Sequence, residues 1–442
     1  MTKQQEQTYA SLARLLQRPS PFGNETGQLP NGEFEPSAQD NLNKLSSSKV
    51  LVVGAGGLGC EVLKDLALSG FRDIDVIDMD TIDVTNLNRQ FLFRMADVGK
   101  FKAQVAAEFV MNRVPSCKVT HHTCKIQEKG PDFYRQFKII ISGLDNIEAR
   151  RWLNSTLVGM VEFLHDEIVP ESIIPMIDGG TEGFKGQARV ILPRITSCFE
   201  CSISTFAANT GFAMCTVAST PRLPEHCIAY AMMIAWDRER TGQAINKDSP
   251  EDMKWLYEKA LARANEFNIK GVTYFLTMGV VKNIIPAVAS TNAIVSAACV
   301  SEAFKFITFA SQSLNTWFMY MGNNGMFTDT FPYEKQDECV VCGDASKTRV
   351  RTVPRDATVQ GFLDSLVDDK ALQLKQPDAT AVRGQESVTL YMRRPAALET
   401  ALRPNLDKLL SDFLESGDEV TVSDATLNGV AITFRVLFAE AG

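Results

Sequence analysis

The sequence lacks an excess of positive charge, because its 45 Lys and Arg residues are outnumbered by 53 Asp and Glu, for a formal net charge of −8. A mildly acidic chain is a poor nonspecific binder of nucleic acid or of an anionic membrane surface. The sequence also does not have the composition of a disordered chain, since 45% of the residues are hydrophobic and 22% are charged. We therefore expect a globular protein whose partners include neither nucleic acid nor a membrane.

The sequence also has little that resembles a membrane-spanning or secretory segment. Its longest apolar run, residues 284–300, is interrupted by polar residues such as Ser290 and Asn292, which favours a buried helix. The first residues, MTKQQEQTYASL, have no apolar core of signal-peptide length. We therefore expect a cytoplasmic or nuclear protein, in which the ten cysteines are reduced, metal-bound or catalytic rather than paired in disulfides.

A chain of 442 residues is too long for one ordinary core, and its patterns change several times along its length. We expect a helix and linker over residues 1–37. Strand and helix patterns then alternate, which predicts an α/β domain whose parallel sheet is covered on both faces, over 38–204 and again over 286–345. The largely helical stretch 205–285 is expected to be an insertion, and 346–442 a separate domain in which a helix packs on a sheet.

A glycine-rich segment with the letters GAGGLG lies between a strand pattern and a helix pattern. Its glycines, Gly54, Gly56 and Gly59, permit a tight turn and let backbone N–H groups approach a phosphate at a helix N-terminus. Asp78 ends the next strand pattern, where a carboxylate can accept hydrogen bonds from ribose hydroxyls. The alternative is a glycine-rich turn that binds no ligand. The pattern indicates a nucleotide but does not distinguish NAD from ATP.

Three charged residues follow this segment and favour ATP. A dehydrogenase has no need of Arg89 and Lys102 near its cofactor, whereas a triphosphate requires cations while its α-phosphate is attacked. Asp145 follows a strand pattern, at a position suited to hold Mg²⁺. Each residue alone is more often a solvated surface charge. Together with the glycine segment, they predict ATP binding.

Four of the cysteines lie in two closely spaced pairs, and one further cysteine is a candidate nucleophile. Two C-x-x-C pairs, Cys198 with Cys201 and Cys339 with Cys342, predict a tetrahedral, structural zinc site, the alternative being four unrelated buried cysteines.

Cys215 belongs to neither pair, and a lone cysteine is usually a small core residue. Beside an ATP site, however, a thiolate is the natural acceptor of an adenylated carboxylate. His226 follows in the sequence, and a packing or capping role is favoured for it over deprotonation of the thiol.

These motifs together resemble the activating enzymes of ubiquitin-like proteins, which are related to bacterial adenylating enzymes of molybdopterin and thiamin synthesis. The resemblance rests on the glycine segment, the segment D-M-D-x-I-D-x-x-N-L-N-R-Q at 78–90, Lys102, the G-L-D of 143–145, the paired cysteines and the M-C-T-x-A-x-x-P around Cys215. The segments IDGGTEGFKG, PRLPEHC and IPAVASTN resemble the neddylation branch of that family.

The resemblance implies a fold and a reaction. The fold would be α/β: a Rossmann-like adenylation domain of the ThiF/MoeB type, an inserted helical catalytic-cysteine domain, and a C-terminal ubiquitin-like β-grasp domain that recruits a conjugating enzyme. The reaction would adenylate the C-terminal glycine of a ubiquitin-like modifier with ATP, form a thioester on the enzyme's cysteine, and pass the modifier to the conjugating enzyme. The chain would act as one half of a heterodimer with a second, adenylation-type subunit.

The resemblance also assigns roles to residues. Asp78 would bind ribose, and Asn86 and Gln90 would make further nucleotide contacts. Arg89 and Lys102 would bind the phosphates and assist the reaction, and Asp145 would hold Mg²⁺. Cys215 would carry the thioester, and Arg189 would help to reject ubiquitin. Three other hypotheses stay open here: the same chemistry for another modifier such as the small ubiquitin-related one, an NAD-dependent dehydrogenase, and a non-catalytic interaction subunit.

Overall fold

The chain forms two compact units, one of residues 1–206 with 287–442 and one of 207–286. The computed structural model describes residues 8–19, 34–165, 167–205, 214–246, 249–281, 287–311, 314, 317–343, 348–369, 371–383 and 386–439.

The larger unit is built on an eight-stranded sheet with the order β10-β9-β8-β7-β4-β1-β2-β3 in the described part of the chain. Its strands are β1 Lys49–Val53, β2 Asp73–Ile77, β3 Lys118–His122, β4 Ile139–Ser142, β7 Met176–Glu182, β8 Lys185–Ile191, β9 Trp317–Met321 and β10 Phe327–Phe331. A separate short hairpin consists of β5 Phe163–Leu164 and β6 Glu167–Ile168.

The five strands from β3 to β7 pair in parallel, and the pairs from β7 to β10 are antiparallel. The parallel sheet predicted from the strand and helix patterns is therefore confirmed for β1 to β4, whereas those patterns did not predict the antiparallel strands β8, β9 and β10. In the parallel half, β4 is fully buried and β1 nearly so, as strands covered on both faces require. The antiparallel half begins where β7 turns directly into β8 at Gly183, so no crossover helix separates these two strands.

The helices of the larger unit before residue 310 are α1 Ala10–Leu16, α2 Ala38–Ser47, α3 Gly57–Leu68, α4 Lys102–Arg113, α5 Pro131–Tyr134, α6 Ile147–Gly159 and α12 Ala289–Thr308. The long apolar run of the sequence is confirmed as a buried helix over its described part, since α12 packs against α3, β7 and β8. None of the described helices is long and apolar enough to cross a membrane.

The smaller unit is helical, with α7 Met214–Ser219, α8 Pro224–Tyr230, α9 Trp236–Glu239, α10 Pro250–Glu266 and α11 Tyr274–Val281. A π-helical turn, Ala231–Ala235, joins α8 to α9. Ser249 caps α10 through a 3.3 Å hydrogen bond from the Asp252 backbone N–H, as the Ser-Pro start predicts. The apolar face of α10 is buried from Met253 to Ala264, and Phe267, just past the helix end, is 38% exposed.

The C-terminal part has a five-stranded sheet ordered β11-β15-β14-β12-β13, with β11 and β15 parallel. Its strands are β11 Arg349–Val353, β12 Asp378–Arg383, β13 Glu386–Tyr391, β14 Glu419–Ser423 and β15 Ala431–Phe438, and its helices α13 Val359–Val367 and α14 Ala396–Leu402. The apolar face of α13 packs with Val420, Val422 and Phe434 in one core. This helix on a mixed sheet confirms the predicted β-grasp arrangement.

Candidate active site and metal centre

The glycine segment forms the turn from β1 into α3, and two of its glycines have a steric requirement. Gly54 adopts φ of +94°, a conformation that a side chain disfavours. A Cβ on Gly59 would lie 1.9 Å from the Gly54 carbonyl oxygen, so the helix can start only with glycine there. A Cβ on Gly56 would meet only the Gln90 amide, at 3.9 Å, which leaves this stretch of backbone open to a ligand.

Asp78 follows β2 and holds this turn. One carboxylate oxygen accepts from the Ala55 N–H at 2.7 Å and the other from the Asp80 N–H at 2.8 Å. Burial raises the pKa of Asp78, and the nearby charge of Lys102 opposes that rise. Because a carboxylate has about four lone-pair sites, Asp78 retains acceptor capacity for ribose hydroxyls beyond these two bonds.

Lys102 begins α4 and reaches the same end of the sheet. Its side chain is almost enclosed, and Nζ lies 2.8 Å from a carboxylate oxygen of Asp80. The Asp80 side chain is 54% exposed, so an incoming phosphate can compete for the lysine from the solvent side. Asp80 is a site residue that the sequence analysis did not select, although it alternates with Asp78 in the D-M-D segment.

The 84–90 segment runs beside the glycine turn. A Cβ on Gly57 would lie 3.5 Å from Cγ of Arg89, so the arginine stem touches the start of α3. The Arg89 guanidinium donates through Nη1 to the Thr85 carbonyl and the Asn88 amide oxygen, both at 3.1 Å. Its other nitrogens have no hydrogen-bond partner in the part of the chain that the structure describes.

Asn86 and Gln90 have different surroundings. Asn86 shapes its own turn, because its Oδ1 accepts from the Asp83 N–H at 2.9 Å. Gln90 is 3% exposed, and its Oε1 is buried without a hydrogen-bond partner among the described residues. An orphaned amide beside an open glycine backbone is a group that a bound ligand could satisfy.

Asp145 lies in the loop after β4, and this loop touches the glycine turn. A Cβ on Gly54 would lie 3.0 Å from the Gly143 carbonyl oxygen. The Asp145 side chain is exposed, and Asn146 caps α6 by accepting from the Ala149 N–H at 3.1 Å. One exposed carboxylate at a phosphate site suits Mg²⁺, which usually takes one or two carboxylates with water and phosphate oxygens.

The four paired cysteines meet in one buried cluster. Their sulfur atoms all lie within 4.8 Å of one another, with Cys201–Cys342 at 3.4 Å, Cys198–Cys339 at 3.6 Å and Cys198–Cys201 at 3.9 Å. Four sulfurs at about 2.3 Å from one zinc ion, at tetrahedral corners, lie roughly 3.8 Å apart. These separations are too long for disulfides and fit a zinc site.

Cys215 lies on α7 in the smaller unit, and its side chain is outside the described part of the structure. The end of α7 is held by Arg263, which donates to the Ala218 carbonyl and lies 4.3 Å over the Tyr230 ring. His226 is buried on α8, where Nδ1 accepts from the Arg222 N–H at 3.1 Å. This contact agrees with the capping role that we favoured for the histidine.

Arg189 lies on β8 and is 3% exposed. Its Nε is 3.3 Å from the Asp178 carboxylate, and Nη1 donates to the Ser202 hydroxyl at 2.6 Å. The guanidinium lies 4.3 Å from the centroid of the Trp317 ring. Burial lowers the pKa of Arg189 to about 10, so it is still charged at neutral pH.

Known proteins match the chain over almost its whole length. The model of the ThiF family matches residues 30–341, and that of the E2 binding domain matches 352–438. The NEDD8-activating enzyme E1 catalytic subunit of Dictyostelium discoideum is 48% identical over 98% of this chain and 97% of the relative. The corresponding subunit of Arabidopsis thaliana is 50% identical over 83% and 79%.

The comparison also separates the alternatives that the sequence left open. SUMO-activating enzyme subunit 2 of Dictyostelium discoideum is 43% identical, but over only 44% of this chain and 28% of the relative. The neddylation branch is therefore favoured over the small ubiquitin-related one, and an adenylating family over a dehydrogenase. The chain belongs to the ThiF family and, within it, to the NEDD8-activating enzyme E1 catalytic subunits.

Proposed function

We propose that this chain activates a NEDD8-type modifier in three steps at two separate places. The observation that carries the proposal is the convergence of the glycine turn, Asp78, Lys102 and the 143–145 loop at the carboxyl ends of β1, β2 and β4. Ligands of open α/β sheets bind at such ends. The family assignment makes the ligand ATP.

In the first step a terminal carboxylate oxygen of the modifier attacks the α-phosphorus, the bond to the pyrophosphate oxygen breaks, and pyrophosphate leaves. Asp78 binds the ribose, and Arg89 and Lys102 neutralise the phosphates, which stabilises the charge that develops on them. Asn86 and Gln90 make further contacts, and the unpaired buried oxygen of Gln90 supports this role for it. Asp145 would hold Mg²⁺, which supplies charge neutralisation at the triphosphate.

In the second step the Cys215 thiolate attacks the acyl carbon, the carbon–oxygen bond to the phosphate breaks, and AMP leaves. An acyl-phosphate is an activated carboxylate, and a thiolate is a stronger nucleophile than any hydroxyl at neutral pH. In the third step the cysteine of a conjugating enzyme takes the acyl group and releases the Cys215 sulfur. The E2 binding domain over 352–438 supports a role for the C-terminal part in recruiting that enzyme.

The chain is proposed to work as a heterodimer, because its relatives are named as catalytic subunits of an activating enzyme. Zn²⁺ would be held by Cys198, Cys201, Cys339 and Cys342, closing a loop that contains the whole smaller unit. All four ligands are protein sulfurs, so the ion has a structural role. A cytoplasmic or nuclear location stays a prediction, as do the four domain boundaries.

Arg189 is proposed to contribute to modifier choice. Its charge lies in a low-dielectric surrounding, where repulsion of an arginine on the wrong modifier is strong. The ion pair with Asp178 and the hydrogen bond to Ser202 mean that it would act from a fixed position.

The test is a thioester assay with the chain and its regulatory subunit, ATP, Mg²⁺ and either NEDD8 or ubiquitin, resolved on a non-reducing gel. A thiol-sensitive adduct with NEDD8 and little with ubiquitin is expected, and Arg189→Ala should raise the ubiquitin adduct. A matched Arg194→Ala variant, in the same unit, should leave discrimination unchanged. Equal adducts with both modifiers in the wild type would refute the assignment of NEDD8 specificity.

A further inference from the structure

Arg150, on α6, is a buried arginine to which the proposed function gives no role. Its guanidinium makes a three-way bridge. Nε donates to the Leu144 carbonyl at 2.9 Å, Nη2 to the Gly179 carbonyl at 2.9 Å, and Nη1 to the Asp178 carboxylate at 3.1 Å. Nη2 also reaches the Leu144 carbonyl. One planar group thereby ties the loop after β4 to the middle of β7.

The bridge is attached directly to a proposed metal ligand. The Leu144 carbonyl belongs to the peptide unit that leads into Asp145, so two guanidinium donors on that oxygen fix the plane of the peptide and the direction of the following residue. The Asp145 side chain itself is exposed, and no described residue hydrogen-bonds to it. Its position is therefore set by its backbone, and the backbone is set by Arg150.

The surroundings are shaped to the guanidinium. A Cβ on Gly180 would lie 3.0 Å from Nη2 and 3.2 Å from Nη1 of Arg150, so glycine at 180 leaves the space that the fork occupies. On the other side of the same loop, Gly143 packs against Gly54 of the nucleotide turn. The 143–145 loop is thus held between the glycine turn and the arginine.

A simple counter-charge role does not account for these contacts. Asp178 is fully buried and does need a cation, but Arg189 Nε already lies 3.3 Å from the same carboxylate oxygen. Neutralising the charge of Asp178 would not require the hydrogen bonds that Arg150 donates to backbone carbonyls. The two carbonyl contacts are what the planar, many-donor guanidinium adds beyond a point charge.

We infer that Arg150 is a positioning residue for adenylation, which holds the Leu144 carbonyl and thereby aims the Asp145 carboxylate at the magnesium of bound ATP. The inference rests on the proposed function, because it requires that Asp145 hold Mg²⁺. Groups that orient metal ligands change metal affinity or activity by about 10–100-fold when they are lost.

The experiment uses the heterodimer with Arg150→Lys, Asp145→Asn and a matched surface variant, Arg135→Lys. Lysine keeps a cation beside Asp178 but cannot form the fork. The magnesium dependence of ATP–pyrophosphate exchange is measured for each. With Arg150→Lys we expect the Mg²⁺ concentration for half-maximal exchange to rise about tenfold or more, and the exchange rate to recover in part at high Mg²⁺. Arg135→Lys should follow the wild type.

A second readout needs neither metal nor activity. Amide hydrogen exchange over 143–146, measured without ATP or Mg²⁺, should be faster in Arg150→Lys than in the wild type and unchanged in Arg135→Lys. Unchanged exchange there and an unchanged magnesium curve, while Asp145→Asn shifts that curve, would overturn the inference and leave the proposed function standing. A wild-type magnesium curve for Asp145→Asn would overturn the inference together with the proposed magnesium role of Asp145.

Discussion

The two compact units differ in how they hold their chemistry. In the larger unit the proposed nucleotide residues lie in the segments after several strands and at the start of α4, and hydrogen bonds between these segments fix them, such as Asp78 to Ala55 at 2.7 Å and Lys102 to Asp80 at 2.8 Å. In the smaller unit Cys215 lies on one short helix, and the unit has a core of its own around Trp236 and Leu256.

The difference indicates a division of labour. Adenylation needs many groups held at fixed positions around a charged ligand, and strand ends provide them. Thioester formation needs one nucleophile and freedom for the acyl group to reach it. Because each unit has its own core, a change in one should affect its own step first. Three changes test this separation, from the largest expected effect to the smallest.

Loss of a zinc ligand should have the largest effect, and the effect should fall on the larger unit. Cys339→Ser should abolish zinc binding and lower the melting temperature, because structural zinc sites contribute on the order of 10 kcal/mol of apparent folding free energy in small domains. Mass spectrometry measures the zinc content, and calorimetry measures the melting temperature. Cys117→Ser, a buried cysteine outside the cluster, should keep its zinc; full zinc retention in Cys339→Ser would refute the site.

Removal of Lys102, the cation proposed to bind the phosphates, should slow adenylation and thioester formation together. Lys102→Ala should slow pyrophosphate exchange by about 10²–10³-fold, the usual result of losing one donor aimed at transition-state charge. Thioester formation should fall in parallel, because it needs the adenylate. Lys100→Ala is the control, since that lysine pairs with Asp97 on the exposed surface. A Lys102→Ala enzyme with normal exchange would remove the lysine from the site.

A core mutation in the smaller unit should separate the steps. Leu256→Ala, at a fully buried position, should destabilise that unit by about 2–5 kcal/mol. Thioester formation should then fail at a lower temperature than exchange does. Leu66→Ala, equally buried in α3 of the larger unit, should instead lose exchange and thioester formation at the same temperature, because the thioester forms from the adenylate. Simultaneous loss of both activities in both variants would show that the units do not unfold separately.

Much of the proposed adenylation site could be predicted from the sequence because its signals are local. The glycines that shape a strand–turn–helix, a carboxylate at the next strand end and two C-x-x-C pairs each have a fixed spacing. Asp78 and the four cysteines lie in the structure where those patterns indicate. The alternation of strand and helix patterns likewise predicts the parallel half of the sheet.

The remaining features depend on contacts between distant segments. The antiparallel strands β8–β10 come from both sides of the insertion, and no local pattern gives their pairing. The Arg150 bridge joins residues 28 and 29 positions apart, and its partners are mostly backbone carbonyls, which any sequence supplies. Lys102 was predicted as a phosphate ligand, but its partner Asp80 was not, because an exposed aspartate has no distinguishing pattern.

The most direct test of the division of labour compares two activities of one preparation. Cys215→Ala heterodimer is assayed for ATP–pyrophosphate exchange with NEDD8 and, in parallel, for the thiol-sensitive adduct on a non-reducing gel. The account predicts that exchange persists near the wild-type rate while the adduct is absent. An adduct that survives the substitution would place the thioester on another cysteine, and loss of exchange would show that the two steps share one site.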